Sequence, residues 1–134
     1  MAEELLVGDR LTAEMIDSGA KLVDALDKLN VTVKGAFWLL LPDRRVWRLL
    51  IAMPEVRLAG PKAMYRKIRS AIEKLPADVE PVGTKDISVI DDKAPLLSLL
   101  RKAVSTVPGI DGIRFSRNVV NGQLIEDAYL YRIV

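Results

Sequence analysis

The chain has 134 residues, half of them hydrophobic and 28% charged, with 20 Lys and Arg against 18 Asp and Glu. This is one ordinary domain, able to bury a core without covalent staples, and too apolar to be a disordered chain. A net charge of +2 is too small for a whole-protein basic field, and the absence of cysteine and histidine removes thiolate nucleophiles, disulfides, Cys or His metal sites and imidazole bases.

No cofactor is expected from such a composition, and any chemistry would fall to carboxylates, lysines, hydroxyls or a carboxylate-bound metal. The start Met1-Ala2-Glu3-Glu4 lacks the charged and apolar regions of a signal peptide, and no apolar run reaches membrane-span length. The expectation is a cytoplasmic protein with no membrane partner. The apolar surplus suggests a further buried surface between subunits.

In chain order, Thr12 to Leu29 has the spacing of an amphipathic helix. Thr12 is its N-cap, Met15, Leu22, Val23, Leu26 and Leu29 form the inner stripe, and Asn30 is a left-handed stop. Gly19 inside it costs roughly 1 kcal/mol relative to alanine, which close approach to the sheet would offset. Lys34 to Pro54 then reads as two strands apolar on both faces, folded back through Pro42-Asp43-Arg44-Arg45; strands of this kind belong in the middle of a sheet. Trp38 and Trp47 fall on neighbouring strands and read as core rather than as a stacking platform. Arg48, the polar exception, is expected to reach the sheet rim or pair with an acid.

After a connector, Gly60-Pro61 opens a helix with the inner stripe Met64, Ile68, Ala71, Ile72 and Leu75, ended by Pro76. Its outer face is the most basic stretch, with Lys62, Arg66, Lys67, Arg69 and Lys74 against Glu73. Lys62, Tyr65, Arg66 and Arg69 are therefore candidates for an anionic ligand or nucleic acid; a solvated helix face explains the same charges. A short strand Asp86 to Ile90 precedes a helix Ala94 to Thr106, capped by Asp91 or Asp92. Gly112 to Val120 and Leu124 to Val134 form a hairpin through Asn121-Gly122, half exposed and suited to a sheet margin.

The order α-β-β-α-β-α-β-β predicts a single α/β (α+β) domain with a mixed, mostly antiparallel sheet of about five strands and three packed helices. The run from Ala36 to Pro42, then Trp47 to Ala52, then Gly60-Pro61 and Tyr65, resembles a family of uncharacterised small bacterial proteins. These share a tryptophan-bearing apolar hairpin followed by a Gly-Pro helix start. The resemblance covers the first half of the chain and implies a bacterial or archaeal protein, with no activity attached.

Two constellations are candidates for function. Asp43 with Asp91-Asp92-Lys93 imitates the carboxylates and lysine of a metal-dependent nuclease, although hairpin-tip and helix-start roles suffice for both. The last hairpin carries Arg114, Arg117 and Arg132 with Tyr129, Tyr131 and Ile133; the arginines offer a binding margin, and Tyr129, Tyr131 and Ile133 a homodimer interface. The function expected is a small, non-enzymatic binding or assembly protein acting as a homodimer. A nucleic-acid-associated accessory protein using the basic helix is the first alternative, and a divalent-metal nuclease or hydrolase the second.

Overall fold

The computed structural model describes residues 10–104, 109–120 and 122–134, with backbone alone for 117, 118 and 123. Helix α1 (Ala13–Lys28) begins where the Thr12 hydroxyl accepts a hydrogen bond from the Met15 N–H at 3.1 Å, satisfying one orphan donor of the first turn. It stops at Asn30, which takes the left-handed conformation at φ 61°. The chain then enters β1 (Gly35–Leu41) and returns in β2 (Val46–Ala52).

Where the sequence suggested only a connector, one turn of helix forms, α2 (Val56–Ala59). It leads through Gly60 at φ 85° into α3 (Pro61–Glu73), whose first residue needs no N–H. The short strand β3 (Ile87–Ile90), helix α4 (Pro95–Ala103) and the hairpin β4 (Ile113–Val120) and β5 (Gln123–Ile133) complete the chain. The expected helix end at Thr106 and the turn residue Asn121 lie outside the described residues. The N-cap of α4 is Ala94 and not an aspartate. Both aspartates are engaged elsewhere, Asp91 and Asp92 each accepting from Arg57.

The five strands form one mixed sheet in the order β3-β2-β1-β5-β4. Every neighbouring pair is antiparallel except β2 and β3, whose parallel pairing requires the crossover that α2 and α3 supply. β1 and β2 are inner strands, as two-sided hydrophobicity demanded. Trp38 opposes Leu49 and Leu40 opposes Trp47, so the period of two puts both indoles on one face, diagonal to each other.

The sheet is sandwiched. On the tryptophan face, Leu22, Val23 and Leu26 of α1 and Met64, Ile68 and Ala71 of α3 pack on Trp38, Leu40, Trp47, Leu49 and Ile51. On the other, Leu97 and Leu100 of α4 pack on Phe37, Leu50, Leu130 and Ile133. Each large side chain fully buried in these layers contributes roughly 1.5–3 kcal/mol. Arg48 reaches over β3, donating to the Ser88 hydroxyl at 2.6 Å and the Ile87 carbonyl at 3.2 Å.

The last hairpin departs from its expected place. β4 is an edge, but β5 lies between β1 and β4, and its C-terminal part is buried on both faces. A register shift between Ala36 and Phe37 faces Tyr131 and Arg132 of β5, breaking the simple alternation there. Leu130, Tyr131, Arg132 and Ile133 are consequently all buried. No helix among the described residues is long and apolar enough to cross a membrane.

Candidate functional site

The first two turns of α1, the start of β2 and the connector before β3 enclose a cleft of about 320 Å³. Thr12 fixes where α1 starts, which sets Glu14, Met15 and Ser18 along one side of the cleft. Trp38, Val46 and Trp47 of the central hairpin form the floor. The opposite wall runs from Glu80 through Pro81, Val82 and Gly83 to Asp86.

Each wall is held by its own contacts. Val79 and Val82 are buried and anchor the connector in the core. The Ser18 hydroxyl donates to the Glu80 carbonyl, tying that connector to α1, and the Asp86 N–H closes a turn onto the Gly83 carbonyl at 2.9 Å. The Trp38 indole N–H donates to the Tyr131 hydroxyl at 3.0 Å, which donates in turn to the Ile16 carbonyl at 2.6 Å. This chain of bonds fixes α1 over the sheet. It has room only because residue 19 is glycine: a Cβ there would stand 2.3 Å from the tyrosine oxygen. Burial, the main cause, pushes the Tyr131 hydroxyl pKa above its ordinary range.

Trp47 carries a cation against its ring. The Arg114 guanidinium carbon lies 5.4 Å from the ring centroid. Arg114 makes two hydrogen bonds to Asp127, at 2.6 and 2.5 Å, and the Ser116 hydroxyl adds a third at 2.8 Å. Arg114 holds the Asp127 carboxyl below the usual range against the opposing effect of burial, and Ser116 adds a smaller lowering.

Among the described residues, three acidic residues, Glu14, Glu80 and Asp86, and one basic residue, Arg10, line the cleft around its apolar floor. The arrangement can enclose a small molecule with an apolar body and a polar end. Among the described residues no group of three or more Asp or Glu is placed to hold a metal ion.

The candidates chosen from sequence are scattered. Lys62, Arg66 and Arg69 lie exposed on the outer face of α3. Tyr65 does not join them in an anion site, because its hydroxyl donates to the Ile87 carbonyl at 3.3 Å and accepts from the Val89 N–H at 3.2 Å. It thereby covers the outer edge of β3. Arg114 is exposed but paired, and the Arg117 side chain lies outside the described residues.

The interface expected of Tyr129, Tyr131 and Ile133 is not a surface. Tyr131 and Ile133 are each 1% exposed and Tyr129 is half-buried, its ring edge-on to Tyr131. The cause is that this end of β5 is packed over on both sides, Tyr131 within the core layer of α1 and α3 and Ile133 within that of α4. Arg132, grouped with the exposed margin, is buried and bound to Asp27.

The nuclease-like acids do not meet either. Asp43 precedes the start of β2 and Asp91 follows Ile90, the partner of Ala52 at its other end. Seven strand residues at ~3.3 Å each hold them about 20 Å apart along the sheet. Asp91 is moreover engaged by the Lys93 N–H at 3.0 Å and by Arg57, and the former is the larger influence lowering its pKa.

The cleft was missed because its parts come from three distant stretches. Only the tryptophans could have signalled it, and their apolar surroundings read as core. Comparison of the chain with family models, with curated proteins and with solved structures finds no match.

Proposed function

We propose that this is a small binding protein whose ligand, a compact and partly apolar organic molecule, seats in the cleft between α1, β2 and the Glu80–Asp86 connector. The observation that carries this reading is the lining itself: an apolar floor containing both tryptophans of the chain, ringed by a few charged groups. Compact apolar pockets with a small number of polar groups are the usual form of small-molecule sites, and about 320 Å³ is at the small end of their range.

With only two tryptophans present, the two indole N–H resonances are natural reporters. In a fragment screen read by ¹⁵N–¹H correlation spectra, hits are expected to shift both of them together with Met15, Ser18 and Val82. Val46→Phe, which fills the floor, should weaken those hits about tenfold or more. Hits that map elsewhere, or none at millimolar concentration, would remove the reading.

A second reading rests on α3. Lys62, Arg66 and Arg69 recur at i, i+4 and i+7 on one exposed stripe about 10 Å long, and none has an ion-pair partner among the described residues. Such a stripe suits a phosphate backbone. If it is used, affinity for a 20-nucleotide single strand should fall steeply between 50 and 200 mM salt and be lost in Arg66→Glu/Arg69→Glu, whereas salt-independent binding would count against it.

Assembly as a homodimer would use the apolar surface of the β4–β5 hairpin, where Val119 and its cross-strand partner Leu124 are 66% and 59% exposed. Light scattering over a dilution series should then show a dimer that Leu124→Asp dissociates. A monomer at every concentration would exclude it.

A further inference from the structure

Building on the cleft as the binding site, we infer that its ligand is an organic monocation with a ring-sized apolar body. Among the described residues, Glu14, Glu80 and Asp86 line the cleft against Arg10, an excess of two formal negative charges. An anionic ligand could meet one guanidinium only while facing three like charges. A neutral one would gain from apolar contact but leave the carboxylates without a counter-charge. A cation gains from both, and one opposite charge at contact distance in a partly hydrated site is worth about tenfold in affinity.

The floor adds aromatic surface from Trp38 and Trp47, a chemistry that favours cations. Size limits the choice further. A volume of about 320 Å³, at the small end of the range for small-molecule sites, suits a ring with a short chain. Met15 and Val82 supply the apolar walls that such a body would contact.

The test uses three probes of one shape, 2-phenylethylamine as cation, 2-phenylethanol as neutral and phenylacetate as anion, titrated into the full chain at pH 7 and followed through the indole N–H resonances. The amine is expected to bind about tenfold tighter than the alcohol, with the acid weakest. Glu14→Gln/Glu80→Gln, both at exposed positions, should remove most of the amine's advantage and leave the alcohol unchanged; an unaltered thermal melt shows that this variant folds. Equal binding of all three probes overturns the cation inference while leaving the cleft as a site. Phenylacetate binding tightest overturns it as well, in favour of Arg10. Absence of any shift at the cleft residues with all three removes the site reading, and the inference with it.

Discussion

Gly19→Ala is expected to destabilise the protein by about 3 kcal/mol, although the same change in an exposed helix interior would add roughly 1 kcal/mol through helix propensity. The added Cβ would stand 2.3 Å from the Tyr131 hydroxyl oxygen, 2.9 Å from the Trp38 indole nitrogen and 2.9 Å from a Tyr131 ring carbon. Relief requires α1 to lift or the tyrosine to move. Lifting α1 loosens the packing of Leu22 and Leu26, at a cost of about 1–3 kcal/mol for overpacking. Moving the tyrosine strips the Trp38 N–H and the Ile16 carbonyl of their partner, roughly 1–3 kcal/mol for each buried group left unpaired.

Urea denaturation of Gly19→Ala, Tyr131→Phe and the double variant forms a cycle. Because phenylalanine removes the oxygen that the new methyl would strike, the double variant should be more stable than the sum of the single losses predicts. A Gly19→Ala protein as stable as the parent would refute the close approach. Alkaline pH offers an independent reading. The Tyr131 hydroxyl has its pKa raised by burial in the folded state. Its contribution is therefore complete below the unfolded value of about 10 and is lost as pH rises beyond it. The parent should lose stability above pH ~10 more steeply than Tyr131→Phe does.

How far this architecture was legible differs from element to element, for physical reasons. The helix from Ala13 to Lys28 could be read closely because its apolar period, its Thr12 cap and its Asn30 stop are local signals that agree. The central hairpin was legible because two-sided hydrophobicity has one solution, an inner position in a sheet. β5 was misread because Tyr and Arg are amphipathic residues, which a burial pattern cannot assign without knowing their partners. Tyr131 is buried because Gly19 makes room for it and Trp38 and Ile16 satisfy its hydroxyl, and Arg132 because Asp27 lies at the end of α1, 105 residues away in sequence.

The cleft illustrates the same limit. Ser18, Trp47 and Glu80 signal nothing in their own neighbourhoods and acquire meaning only when the sheet order and the crossover bring them to one place. The separation of the acids also turns on topology. A parallel neighbour puts Asp91 at the far end of β2 from Asp43, whereas an antiparallel one would have brought the chain after β3 back toward the hairpin tip.

Asp27→Ala is the other substitution expected to have a large effect, about 3 kcal/mol. Arg132 is 4% exposed, and its guanidinium donates to both Asp27 carboxylate oxygens at 3.0 and 2.7 Å, to the Gly109 carbonyl at 3.0 Å and to the Val33 carbonyl at 3.3 Å. One cation thus joins the end of α1, the approach to β1 and the segment before β4 to strand β5. Removing the aspartate leaves a buried charge facing neutral carbonyls alone, a loss that commonly reaches 3–5 kcal/mol. The lower end applies here, since the Asp27 side chain is 37% exposed and water can enter where the carboxylate stood.

The size of the loss depends on the stranded partner, so removing that partner too should restore stability. Asp27→Ala/Arg132→Met, which fills the arginine's place with an unbranched apolar side chain, is expected to be more stable than Asp27→Ala alone. Chemical denaturation of Asp27→Ala, Arg132→Met and the double variant decides between two accounts. If the double variant regains at least half of the loss, the penalty was the unpaired buried charge. If it loses the sum of both single effects, Arg132 acts mainly through its carbonyl bonds to Gly109 and Val33, and the tie between α1 and β5 is carried by the backbone contacts rather than by the ion pair.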